Sequence, residues 1–405
     1  MIQVALAALL VLAPQQDEPD VIVMKDGTEV ECRVLSESAE RVKYRAKRKD
    51  REVAVDEVAE IQSIERSLSE FLDRTEALDL GQVPTCVALA QFAEERGLFG
   101  EARNMWIRIL TLDPEHEQAW TRLGGVHSKQ GWRLRVRGRW RNLTELRERV
   151  SAWKDAMELP TAHFLIRTNI EPERALGVAL DVERVYRAYY DALGQAVELS
   201  VFDETPELHI FSDADDYPRP PRPGMKVWYA RNPNEVYIDA SGEISRQEVV
   251  QHLAYVMIFN SFRRTGGNRN GSITPWAREG LAQSFAWAFR PDPGRAKFEY
   301  GVPITPYFQS HARDEKPLSL SSVLGAGFAA FEGGTNAERY VAQSYTLTHF
   351  LLNAEGGKYR AGFGEFLLSS FKGQGAGTHL KRALEVDLGD LEEEWTAYVK
   401  QVAGA

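Results

Sequence analysis

Apolar positions along this chain follow two periods. Between residues 21 and 65 they recur at every second position: Val30, Cys32 and Val34, then Val42 and Tyr44, then Val53 and Val55. That alternation predicts short half-buried strands, with Lys25-Asp26-Gly27 as a turn after Val21-Ile22-Val23-Met24. From residue 66 to about 130 the spacing becomes helical, and a further helix is expected from Thr144 to Leu159, stopped by Pro160. Then the order changes again. His163–Thr168 reads as a strand, and Glu173–Leu193 as a helix with Leu176, Ala179, Leu180, Val182, Val185 and Tyr189 on its apolar face. Leu208–Phe211 reads as a strand, and Val227–Tyr229 with Val236–Asp239 as a hairpin around Asn232-Pro233-Asn234. Helices are predicted over Arg246–Phe262 and Ala277–Phe289, joined by the glycine-rich loop Thr265–Thr274. Three more are predicted over Ala337–Asn353, Ala361–Ser370 and Leu388–Val402.

The strand region, 20–65, is expected to form a small β-barrel or sandwich and resembles SH3-like or Sm-like modules around its Met24-Lys25-Asp26-Gly27 phrase. Within 66–159, Leu89, Ala90, Ala102, Trp106 and Ile109 fall on the small and apolar positions of a tetratricopeptide unit ending at Pro114. Trp120-Thr121-Arg122-Leu123-Gly124-Gly125-Val126-His127 resembles the opening of the next unit. One and a half such units cannot bury a solenoid core alone, so they are expected to cap a neighbouring domain or meet a partner.

Composition narrows the function. The chain has 405 residues, 43% hydrophobic and 27% charged, with a net charge of −10. That balance fits a multidomain globular protein and argues against a general nucleic-acid binder. The arginine-rich run Trp132–Arg141 reads as an exposed strand or hairpin. Met1–Ala13 has the apolar character and length of a secretory h-region, so 1–16 is expected to be a signal peptide and the protein exported. No other stretch reaches the roughly 20 apolar residues of a membrane span. Cys32 and Cys86 lack metal-site spacing and read as simple thiols.

Two phrases carry the chemistry: Glu248-Val249-Val250-Gln251-His252-Leu253-Ala254-Tyr255-Val256 and Pro275-Trp276-Ala277-Arg278-Glu279-Gly280-Leu281-Ala282-Gln283-Ser284-Phe285-Ala286. The second resembles the W-x-x-E-G-x-A-x-x-x-A phrase of the gluzincin metallopeptidases, the peptidase MA-like family. Tyr340–Leu351 and Leu391–Val399 are similar to its later helices. The resemblance covers roughly 160–400 and implies a zincin-fold domain over 160–405. The family's H-E-x-x-H places two imidazoles on one helix face for zinc, with a glutamate beside the first as base. Here Gln251 and Tyr255 stand at the two histidine positions, His252 at the glutamate position and Glu279 at the third ligand position. An amide oxygen donates poorly, and tyrosine must first lose a proton of pKa about 10.

The expectation is therefore an α+β multidomain protein with a small β-barrel module, a helical tetratricopeptide-like spacer and a zincin-like (gluzincin) C-terminal domain. That domain is expected to be a pseudopeptidase without cofactor, binding a peptide or protein segment through Glu248, Gln251, His252, Tyr255, Glu279, Gln283 and Tyr345. Alternatives are a zinc-dependent peptidase with atypical ligands and a structural adaptor. A shifted Glu248–His252–Glu279 site or a His252–Glu279 acid–base pair would also preserve hydrolysis. His349 reads as a core histidine. Ser284 and Ser344 lack a nucleophile elbow.

Overall fold

The computed structural model describes residues 20–37, 40–136, 138–194, 197, 199–263, 271–292, 295–298, 301–331, 333 and 336–404. The Met1–Ala13 segment and most of the Thr265–Thr274 loop lie outside them. The protein is mixed α+β, with a β-sheet region at its N-terminal end and helices at its C-terminal end. It divides into two compact units. One takes residues up to Leu35, Glu40–Arg187 and Thr205–Ile244; the other takes Ser36–Ala39, Ala188–Glu204 and Ser245–Ala405. Among the described residues no helix is long and apolar enough to cross a membrane.

The first unit begins with β1 (Asp20–Met24), β2 (Glu29–Glu37), β3 (Arg41–Ala46), β4 (Lys49–Ala54) and β5 (Val58–Gln62), in the order β4-β3-β2-β1-β5. Alternate residues face inward, so Ile22, Cys32, Val34, Val42, Tyr44, Val53 and Ile61 form one small core. Gly27 closes the first turn at φ +86°, a conformation that glycine adopts without a Cβ penalty. Ser63 caps α1 (Ile64–Ala77), accepting a hydrogen bond from the Arg66 amide.

Helices α2 (Val83–Glu95), α3 (Phe99–Leu112) and α4 (Glu117–Arg122) follow. Leu89, Ala90, Ala102, Trp106 and Ile109 share one buried cluster with Leu68, Phe71 and Trp120. The arginine-rich run forms β7 (Gly131–Val136) and β8 (Arg139–Arg141), with β6 (Val126–Ser128) paired to β7. Here the sequence expectation is corrected. In place of one helix over 144–159, α5 (Leu143–Val150) stops early, a short 3-10 turn follows at Trp153–Asp155, and β9 occupies Met157–Pro160. Pairing of β9 with the next strand outweighs the helical period, and the Arg149–Asp155 ion pair at 2.5 Å holds the turn. An apolar cavity of about 120 Å³ remains among Leu110, Trp120, Leu123, Leu134 and Leu146.

The second sheet contains β9, β10 (Leu165–Thr168), β11 (Glu207–Phe211), β12 (Val227–Ala230) and β13 (Glu235–Asp239), in the order β12-β13-β11-β10-β9. β10, β11 and β13 run parallel, and both edge strands are antiparallel to their neighbours. Between β10 and β11 the chain passes through α6 (Pro172–Leu193), as a parallel pair requires a crossover. Ile166, Leu208, Ile210, Val236 and Ile238 are buried, while Arg167, His209, Tyr237 and Trp228 on the opposite face are half-buried.

A charged network lies within this unit, buried except at Glu65, whose side chain is about 31% exposed. His163 Nδ1 lies 2.7 Å from Glu183 Oε2 and its Nε2 lies 2.9 Å from Glu65 Oε1. The His163 amide donates to Glu183 Oε1, the Tyr186 hydroxyl donates to Glu65, and the Tyr186 ring stacks on the imidazole at 3.5 Å. Glu101 on α3 accepts from the Ala162 amide through Oε1, while its buried Oε2 has no partner among the described residues. Burial tends to lower the His163 pKa, but the two carboxylates outweigh it and hold the imidazole charged, at about 10.

Among the described residues from Ser245 onward, the second unit is helical apart from the hairpin β14 (Phe289–Asp292) and β15 (Arg295–Phe298). Its helices are α7 (Arg246–Arg263), α8 (Pro275–Ala288), α9 (Thr305–Ala312), α10 (Leu320–Leu324), α11 (Ala337–Asn353), α12 (Arg360–Phe371), α13 (Gly377–Leu384) and α14 (Leu388–Ala403). α8 packs against both α7 and α11. Gly280 permits the α8–α11 approach: a Cβ there would lie 2.0 Å from Thr348 Oγ1 and 2.6 Å from the Ser344 carbonyl oxygen. A side chain can rotate away, but the backbone oxygen cannot. Gly280→Ala is accordingly expected to cost about 1–3 kcal/mol, read as a lowered urea midpoint with an unchanged slope. A wild-type midpoint would show that the two helices are less tightly joined.

Candidate functional site

Helices α7 and α8 bring three of the singled-out residues to one point. Gln251 Nε2 donates to the Tyr255 hydroxyl at 2.8 Å, and that hydroxyl donates to Glu279 Oε2 at 2.7 Å. The first link follows from helix geometry, since residues four apart stand one turn above each other. The second crosses between helices. Glu279 is 4% exposed, so its carboxylate requires compensation on both oxygens. Oε1 receives it from Arg278, whose Nη2 lies at 2.6 Å and Nε at 3.2 Å.

Arg278 is the residue that sequence reasoning passed over. Its guanidinium carbon lies 4.8 Å from the Tyr255 ring centroid and 4.4 Å from that of Phe328, so the cation is held between two aromatic faces. Arg278 Nη1 has no hydrogen-bond partner among the described residues, and the side chain remains about 29% exposed. The only signal was its place beside Glu279, which could not by itself reveal an ion pair between chain neighbours.

The donor set does not fit zinc. Burial, followed by the charge of Glu279, pushes the Tyr255 hydroxyl well above its usual pKa, so a coordinating phenolate is disfavoured. Gln251 offers a neutral amide, and Arg278 already neutralises Glu279 with a fixed positive charge. A dication at this point would meet one shared carboxylate and a neighbouring cation.

The remaining candidates separate. His252 is buried, its Nδ1 2.8 Å from the Glu248 carbonyl oxygen and its ring edge-on to Tyr255. Glu279 bonds Tyr255 and Arg278 and makes no hydrogen bond to His252, and Glu248, His252 and Glu279 do not converge as a ligand group among the described residues. Gln283 accepts a hydrogen bond from Tyr307 at 3.1 Å; Tyr307, on α9, was not singled out from the sequence. Tyr345 is 1% exposed and its hydroxyl accepts from the Ile304 amide, which makes it part of the packing between α9 and α11. His349 is a core histidine whose nitrogens meet the Gly301 carbonyl and the Tyr398 hydroxyl. Ser284 donates to the Gly280 carbonyl, as a helical serine commonly does.

Comparison with protein-family models, curated proteins and solved structures gave no match.

Proposed function

We propose that the C-terminal region is a zincin-like, gluzincin-like fold converted from metal-dependent hydrolysis to the non-catalytic holding of a peptide or protein segment. The observation that carries this reading is Arg278: it pairs with Glu279 through one edge and keeps Nη1 for an incoming acceptor. A main-chain carbonyl or a carboxylate of an extended segment suits that donor, and the Tyr255 and Phe328 rings around it supply apolar contact. The Gln251–Tyr255–Glu279 chain then has a positional role: it fixes Glu279, which fixes Arg278. In this proposal the protein is exported, and its front modules tether it.

Selection of binders from a random peptide library on the full-length protein tests the idea, with affinity and cleavage followed together. Bound peptides should be recovered uncut. Arg278→Ala should weaken them about tenfold or more, the loss expected for one charge-assisted hydrogen bond of about 1.5–3 kcal/mol. Cleavage that requires added zinc and vanishes in Glu279→Ala would replace this reading with that of a zinc peptidase. Unchanged affinity in Arg278→Ala would place binding elsewhere and favour an adaptor.

A further inference from the structure

The half-buried face of the second sheet carries two rows of side chains fixed by strand register. One row crosses Leu165, Glu207, Glu235 and Ala230; the next crosses Arg167, His209, Tyr237 and Trp228. Parallel pairing of β11 with β13 therefore sets two carboxylates side by side, Glu207 against Glu235, with an imidazole two residues along. Like charges directly opposite each other destabilise a sheet unless something compensates them. Imidazole and carboxylate oxygens are also the donors that a borderline divalent metal prefers.

The groups are close enough. One ligand atom from each of Glu207, His209 and Glu235 lies within 4.8 Å of the other two, and His209 Nε2 is 3.0 Å from Glu207 Oε2. Donors around 2.0–2.2 Å from one ion stand roughly 3–3.6 Å apart, so small rotations of two glutamate side chains would close the set. The imidazole is aimed by aromatic packing: its ring stands edge-on to Tyr237 at 5.2 Å and against Trp153 at 5.8 Å. Tyr237, stacked on Trp228, donates to Glu235 Oε2 and leaves the other oxygen for an ion. Arg167, the register neighbour of His209, has its guanidinium 5.0 Å from the Trp153 centroid and Glu158 on β9 as its other register partner, and its charge also acts on Glu207.

We propose that Glu207, His209 and Glu235 form a binding site for one divalent transition-metal ion, with zinc the preferred probe. The site is independent of the α7–α8 point. Two carboxylates balance the ion, the imidazole selects it over calcium or magnesium, and partial exposure leaves a coordination position for water or a ligand. Tyr237 acts as a positioning residue on Glu235.

Calorimetric titration of the chelator-stripped, full-length protein with zinc chloride is the test. One site per chain is expected, lost in His209→Ala and weakened at least about tenfold in the isosteric Glu235→Gln. Tyr237→Phe should weaken it about tenfold, and Glu279→Ala should leave it unchanged. Cobalt supplies a second readout, its ligand-field absorption depending on His209, and circular dichroism confirms that each variant is folded. Absence of binding by the wild type overturns the assignment. So does equal affinity in a folded Glu235→Gln and His209→Ala, or loss of the ion in Glu279→Ala.

Discussion

His163→Ala should lower the stability of the protein by about 3–5 kcal/mol, the cost of breaking a buried ion pair by removing one partner. Glu183 is 1% exposed and Glu65, about 31% exposed, shares the same imidazole, so the variant leaves a buried carboxylate without its counter-ion. The wild-type pH dependence has a defined sign. His163 is raised from 6.5 to about 10, so its contribution is complete below 6.5 and is lost as pH rises through about 10. Glu101 is raised to about 7, first by burial and then by the charge of Glu183. Its contribution is complete below its unfolded value of 4.5 and is lost as pH rises through about 7. Denaturant midpoints measured across this range should fall toward alkaline pH in the wild type. In His163→Ala the part of the fall centred near pH 10 should disappear, while the part owed to Glu101 remains. A loss below about 1 kcal/mol, or an unchanged profile, would mean that the network relaxes around its missing member.

The triple variant Gln251→His, His252→Glu, Tyr255→His should bind zinc about a hundredfold or more tightly than the wild type at the α7–α8 point, a gain of at least about 2.7 kcal/mol. The substitutions exchange an amide and a phenol for two imidazoles four residues apart and set a carboxylate beside the first. Glu279 would supply the third donor, since the Tyr255 hydroxyl at the second substituted position already reaches it at 2.7 Å. Arg278 opposes the ion. Adding Arg278→Ala should therefore tighten binding by a further factor of about ten, by removing a cation that pairs with the same carboxylate. Competition with a chromophoric chelator measures both steps. A His209→Ala background keeps the sheet site from contributing. No gain in either variant would show that Gln251, Tyr255 and Glu279 do not frame a zinc-sized position.

Much of the scaffold was legible in the sequence because its signals are local. Strand alternation around Val30, Cys32 and Val34, and the helical periods of α6, α7, α8 and α11, each follow from neighbours within a turn or two. The meeting of Gln251 and Tyr255 was also legible, from their spacing on one helix. What stayed hidden depends on distant partners. β9 forms because β10 offers it a ladder, against a helical pattern in its own residues. Arg278 looked like an unassigned letter in a phrase until Phe328 and Tyr255 enclosed it. Tyr307 enters only because α9 turns it toward Gln283. The pairing of Glu207 with Glu235 requires two parallel strands in one register, which no spacing along the chain encodes.

The His163 network also bears on where this protein can be cut. A boundary near residue 160, which the change of periodicity suggests, would keep His163, Glu183 and Tyr186 in the C-terminal piece and discard Glu65 and Glu101. That piece would carry an imidazolium missing one counter-ion and a tyrosine hydroxyl missing its acceptor. The discarded piece would hold Glu101, a carboxylate meant for burial, and Glu65 without its imidazole partner. The compact units follow the same logic, since Glu40–Arg187 stays whole within one of them. Fragment design, limited proteolysis and domain grafting should treat α1, α3 and the first half of α6 as one indivisible block.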